Sequence, residues 1–197
     1  MYKLGITGGI GSGKSTASAF FKKKGAFIFD ADSEAKNLFS NNPALTRRII
    51  TTFGSEVSTN NRLDLKKLSE LVFSSKSLQN SLNKIIWPEV SQVMLNAANN
   101  AENDGVKLFI VDAALLFEAG FTEFFNSVLL ITAEKSIRYK RILLRKNIPE
   151  NQIEKRMALQ LPEWEKKKLA GTTIENNGTL SELNEELKLF WKSLQAG

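Results

Sequence analysis

The sequence predicts an α/β protein: a parallel sheet flanked by helices, carrying a helical insert and a helical lid. Three observations predict it. Residues 108–111 and 128–131 are continuous apolar runs that read as buried strands, and 2–7 and 26–29 are shorter ones. Helical stretches separate these runs, which implies right-handed crossovers and parallel pairing. Between the first run and the first helix stands Gly8-Gly9-Ile10-Gly11-Ser12-Gly13-Lys14-Ser15, which fits G-x-x-x-x-G-K-[ST] in the strand–loop–helix setting that a phosphate-binding loop requires. The class is therefore P-loop NTPase-type.

Each residue of that loop has a physical reason. Gly9, Gly11 and Gly13 let successive backbone N–H groups turn inward around phosphate oxygens, with Ser12 completing the turn. Lys14 sets a point charge on the β- and γ-phosphates, and the Ser15 hydroxyl can ligate Mg²⁺. Thr16 opens a helix through residue 24 whose positive end faces the same phosphates, and Gly25 stops it.

The second strand ends in Asp30-Ala31-Asp32. In a parallel sheet these carboxylates lie beside the phosphate site, and at least one is expected to be functional, while Asp32 or Ser33 caps the helix 34–39. Residues 40–105 read as helical. Pro43 opens a helix closed at Phe53-Gly54, Asn60-Asn61 makes a turn, and Leu65, Leu68, Leu71 and Val72 recur at helical spacing. A longer helix follows, kinked or restarted at Pro88, with 99–105 as a polar exit loop. The run 108–111 ends in Asp112, placed as the second metal element of a phosphate-loop protein. Arg138, Arg141 and Arg145 share one helix face, Arg156 and Gln160 lie beyond, and Ile148-Pro149 breaks the segment in two. Beside a phosphate site, such a run suits a lid whose arginines clamp the transferring group. Residues 172–175 form the last strand, and Leu183, Leu187, Phe190, Trp191 and Leu194 give the final helix its core face. The resulting division is a core of 1–60, 106–135 and 170–197, an insert at 61–105, and a basic lid at 136–169.

Composition removes several alternatives. The 197 residues contain no cysteine and no histidine, which excludes disulfides, thiolate or imidazole metal sites, and His-based acid–base catalysis. Any general base is a carboxylate, Lys, Tyr or water. No apolar run approaches the ~20 residues of a membrane span, no secretion signal is visible, and a cytoplasmic setting is expected. The net charge of +6 is uneven: residues 135–168 hold eleven Lys/Arg against four Glu. Beside a phosphate loop this favours a polyanionic small substrate over nucleic acid or a solvated helix face.

The motifs together resemble the dephospho-coenzyme A kinase family over nearly the whole chain. The opening GITGGIGSGKST resembles that family's start, and FDADSEAK its D-A-D-x-x-A-[RK] segment. LNKIIWPEV is similar to L-N-x-I-x-H-P-x-V, VDAALLFEAGF to the strand-end L-L-F-E motif, and Arg141–Arg145, 156–160 and 174–176 to its lid and closing I-x-N. The resemblance implies transfer of the ATP γ-phosphoryl group to the ribose 3′-hydroxyl of dephospho-coenzyme A. It implies that Asp32 accepts the hydroxyl proton, that Arg141 and Arg145 contact ATP phosphates, that Asn176 belongs to the nucleotide site, and that the helical insert holds the acceptor. ATP and Mg²⁺ are the implied cofactors, with Ser15 and Asp112 at the metal; no nucleic acid or membrane partner is expected, and a monomer is favoured. Trp87 stands where the family usually has His, Leu65 where Arg is common, Gly171 where Asp is common, and Lys36 replaces Arg.

Overall fold

The computed structural model describes residues 1–145, 150–158 and 160–196. It divides into two compact units, residues 1–30 with 100–197, and residues 31–99.

The first unit is built on five parallel strands: β1 (Tyr2–Thr7), β2 (Phe27–Asp30), β5 (Leu108–Asp112), β6 (Ser127–Thr132) and β7 (Thr172–Glu175), in the order β2-β5-β1-β6-β7. Every residue of β5 is buried, as expected for a strand covered on both faces. One face carries Leu4, Ile6, Ile110, Leu129, Ile131 and Ile174. Helix α1 (Lys14–Lys23) covers it with Ala17 and Phe21, and helix α9 (Leu180–Ala196) with Leu183, Leu187 and Phe190. Phe21 meets Phe190 edge-on at 6.1 Å, and Trp191 and Leu194 pack partly buried against the same cluster. Phe27 stacks on Phe109 at 5.3 Å on the β2–β5 pair. The start of α9 is fixed by a capping box: Glu182 N–H donates to Thr179 Oγ1 (3.2 Å) and Thr179 N–H to Glu182 Oε2 (2.6 Å). The basic segment supplies α6 (Lys135–Arg145), α7 (Glu150–Ala158) and α8 (Glu163–Leu169) to this unit; the expected break at Ile148-Pro149 lies outside the described residues.

The second unit holds α2 (Ala31–Asn41), α3 (Pro43–Phe53), a short 3₁₀ turn at Ser55–Val57, the strands β3 (Ser58–Thr59) and β4 (Arg62–Leu63), α4 (Leu65–Val72) and most of α5 (Lys76–Asn103). Asn42 caps α3 by accepting from Leu45 N–H (3.0 Å), Pro43 opens it, and Gly54 closes it. Asp64 caps α4 through the Lys66 and Lys67 N–H groups, which hold its carboxyl below the ordinary carboxylate range. The chain reverses between β3 and β4 on Asn60 and Asn61, both with positive φ, so the expected turn is the tip of a small antiparallel hairpin.

Four boundaries differ from the sequence reading. The compact unit starts at residue 31 and not at 61, because α3 packs on the 3₁₀ turn and on β4. Helix α2 begins at Ala31, so Asp32 and Ser33 lie inside its first turn, where an acid favours the helix dipole, and not before it as caps. Of the two outcomes expected at Pro88, helix α5 does not restart there but continues through it; Pro88 and Lys84, whose carbonyl loses its usual donor, are both exposed, so water can serve that carbonyl. The polar residues after Ala98 continue the same helix to Asn103, since Ala98 and Ala101 keep its buried stripe.

Candidate functional site

The phosphate loop follows the carboxyl end of β1, the central strand, and leads directly into α1. Gly13 sits at φ 107°, a conformation that L side chains rarely adopt, and a Cβ there would collide with the Asn176 amide. A Cβ on Gly9 would collide with the Arg138 guanidinium. Ser12 N–H donates to Gly9 O (3.0 Å), and Ser12 O accepts from Asn176 Nδ2 (2.8 Å). Among the described residues no side chain caps the N-terminus of α1, whose first turn carries no acid, so its positive dipole end stays open to an anion, while the Thr16 and Ala17 N–H groups donate to Gly13 O. Ser15 is exposed and Thr16 half-buried at that end. The Thr7 and Ser12 hydroxyls are buried with no hydrogen-bond partner among the described residues.

The strand ends supply the carboxylates. Asp30 and Asp112 are registered opposite one another at the ends of β2 and β5. Asp112 forms an ion pair with Lys14 through Oδ1 and accepts from Ser18 Oγ through Oδ2 (2.6 Å). Both side chains of the ion pair are largely buried, at 15% exposure for Lys14 and 8% for Asp112. Asp32 follows Asp30 by two residues and belongs to the second unit.

The basic helix α6 is placed in three different ways along one face. Arg138 is buried: its Nε donates to Ala133 O (3.0 Å), and its Nη1 pairs with Glu163 Oε1 at 3.4 Å. Glu163 Oε2 also accepts from Thr132 Oγ1 at 2.5 Å. Arg141 donates to Asn176 O (2.9 Å), Asn176 Oδ1 (3.3 Å) and Gly178 O (3.2 Å). Its guanidinium thus holds the loop after β7, and Asn176 links it in turn to Ser12 of the phosphate loop. Arg145 is exposed at the end of α6. Lys166, on the inner side of α8, is fully buried, and its Nζ has no hydrogen-bond partner among the described residues. Burial pushes its pKa down, partly offset by Glu118 and Glu163.

The structure brings together the loop, Asp112 and Asn176 named from the sequence, buries Arg138 of the expected basic face, and adds Ser18 and Lys166, which the sequence did not single out. Ser18 did leave a trace. It stands one helical turn after Lys14 among Ala17 and Phe21, and a hydroxyl on a core face needs a partner.

The residues also fit Mg²⁺ in part. Ser15 and Asp112 offer hard oxygen donors, while no group of three or more His, Cys, Asp or Glu occurs among the described residues. A cation here would take its remaining ligands from water and from a nucleotide's phosphates, as Mg²⁺ commonly does.

A five-stranded parallel sheet, a glycine-rich phosphate loop on its central strand, and a strand-end Asp paired with the loop lysine define a P-loop kinase. The family model described as dephospho-CoA kinase matches residues 2–182. The chain belongs to the dephospho-CoA kinase family, whose members phosphorylate dephospho-CoA in the last step of coenzyme A synthesis. It is 36% identical to the dephospho-CoA kinase of Salinibacter ruber, with 97% of each chain covered. It is 34% identical to that of Geobacillus kaustophilus, over 98% of this chain and 96% of the relative. Among solved structures, TT1252 from Thermus thermophilus superposes with a TM-score of 0.82 at 31% identity, covering 98% of this chain and 97% of the other.

Proposed function

We propose that this chain transfers the γ-phosphoryl group of ATP to the ribose 3′-hydroxyl of dephospho-coenzyme A, giving coenzyme A and ADP. The observation that carries the reading is the loop at Gly8–Ser15 with Lys14 held on Asp112, in a chain that matches the family over residues 2–182. The 3′-oxygen forms a bond to the γ-phosphorus, the bond from that phosphorus to the β,γ-bridging oxygen breaks, and the hydroxyl proton passes to the Asp32 carboxylate. Phosphates entering the loop exchange Lys14 from Asp112 to the β- and γ-oxygens. Gly9, Gly11 and Gly13 present backbone N–H groups to the same oxygens, and Ser12 and Thr16 shape the loop and the helix start around them. Ser15 and the released Asp112 would hold Mg²⁺, whose charge offsets that on the transferring group.

Arg145 reaches the ATP phosphates from the exposed end of α6. Arg141 is a positioning residue that holds Asn176 against the loop. The unit at 31–99 holds the acceptor. The protein acts as a cytoplasmic monomer on two small molecules, without nucleic acid or membrane. An assay with ATP and a competing panel of nucleosides, shikimate and dephospho-coenzyme A tests this directly. One added phosphate on dephospho-coenzyme A, found by mass, is the expected product. Preferential phosphorylation of another acceptor would overturn the substrate assignment.

A further inference from the structure

The phosphate loop is tied to its surroundings at Ile10 as well as at Ser12. Ile10 N–H donates to Gln160 Oε1 at 3.2 Å, and Gln160 Nε2 donates to Ala114 O at 3.4 Å. One amide thus bridges the glycine-rich part of the loop to the segment two residues beyond Asp112. Gln160 is itself seated by its neighbours. The next residue, Leu161, donates its N–H to Glu118 Oε1 at 2.7 Å, and α8 follows with Glu163 on Arg138 and Thr132.

The run Gly8-Gly9-Ile10-Gly11 has little intrinsic stiffness, and the catalytic value of its N–H groups depends on their being aimed before phosphate arrives. We propose that Gln160 is a positioning residue for phosphoryl transfer, fixing the Ile10 peptide relative to the strand-end segment of Asp112 and so holding the phosphate loop in its binding geometry. The proposal rests on the reading of this loop as the ATP site. Gln160 touches no reacting atom; it acts by lowering the ordering cost that nucleotide binding would otherwise carry. Ala114 and Ile10 are both backbone partners, so only a side chain with a donor and an acceptor at the right reach can serve both.

The test is calorimetric titration of ATP and ADP, beside steady-state kinetics in both substrates, on wild type, Gln160→Met, Gln160→Ala and Glu118→Ala. Met keeps the length and bulk of Gln but neither hydrogen bond. Gln160→Met should fold, weaken nucleotide binding and lower kcat/KM for ATP about tenfold, the loss expected for two neutral hydrogen bonds. The KM for dephospho-coenzyme A should stay unchanged. Glu118→Ala, which loosens Leu161 but keeps the amide, should give a smaller loss of the same kind, and the double variant should lose less than the two losses combined. Gln160 variants with wild-type nucleotide affinity and kcat/KM for ATP overturn the proposal, whatever their melting temperature. If Gln160→Met does not fold, unchanged nucleotide affinity in Glu118→Ala overturns it equally. A wild-type chain that binds no nucleotide would instead defeat the functional reading, so the two failures are distinguishable.

Discussion

Replacing Asp112 by Asn separates what this carboxylate does for the empty protein from what it does in transfer. Without nucleotide, Asp112 is an anion that Lys14 faces, and it accepts from Ser18 Oγ at 2.6 Å. The Asn side chain can still accept from Ser18 but presents a neutral oxygen to a lysine that is only 15% exposed. Breaking a buried pair typically costs about 3–5 kcal/mol, and the residual exposure of Lys14 argues for the lower end, ~3 kcal/mol. For a protein of 197 residues that corresponds to a fall in Tm of roughly 6–12 °C. Nucleotide should reverse most of the loss, because phosphate oxygens supply the charge that the neutral amide no longer offers Lys14. In the wild type, phosphate must first compete with Asp112 for Lys14. Metal-free ATP should therefore bind the variant at least as tightly as the wild type, while kcat falls by about 10²–10³ for want of the carboxylate proposed to hold the metal. Scanning calorimetry with and without ATP, combined with single-turnover transfer, reads each quantity separately. An unchanged Tm would mean that the ion pair holds nothing, and an undiminished kcat would remove Asp112 from the transfer step.

Three further outcomes are expected. Asp32→Asn should keep the fold and nucleotide affinity but lower kcat by about 10²–10⁴; retention of most turnover would hand the proton to Asp30 or water. Trp87, half-buried in α5, should act on the acceptor, so that Trp87→Ala raises the KM for dephospho-coenzyme A far more than it lowers kcat. A variant destabilised by about 3–5 kcal/mol with unchanged KM would mark Trp87 as packing only. Lys166 gives a pH signature. Its folded pKa is lowered from 10.5 by burial, so between the two values the unfolded chain holds more protons and stability contributed by this site rises with pH. The penalty is full below the folded value and gone above 10.5. Unfolding of wild type and Lys166→Met from pH 7 to 10 should show the difference shifting in favour of wild type as pH rises; a pH-independent difference would refute it.

What could be read in advance depended on how local its cause is. The phosphate loop, the apolar strands and Asp112 at the end of β5 are specified within a few residues, and each was legible. Helix α9 announced its core face by spacing, and its capping box was equally available in Thr179-Leu180-Ser181-Glu182 though it was not read. Arg138 and Lys166 were another matter. In a run of eleven cations each looks like a solvated or ligand-facing charge, and only the docking of Glu163 and Glu118, brought in by the fold, puts them inside. The three acceptors of Arg141 lie on Asn176 and Gly178, which no helical spacing reveals. The unbroken course of α5 through Pro88 also depended on context, since exposure of one face decides whether water can replace the missing bond.

The strand order has a consequence for how the chain is made. Strand β1 is flanked in the finished sheet by β5 and β6, and neither exists until residue 108 and beyond has been synthesised. At ~5–20 residues per second, β1 waits about 5–20 s for its first neighbour, with Leu4 and Ile6 uncovered on one side and Phe21 following. The unit at 31–99 is contiguous in sequence and is fully translated within that interval. During synthesis the middle of the chain can therefore fold before its beginning, and the phosphate loop takes shape only when β5 arrives, bringing Asp112 with it.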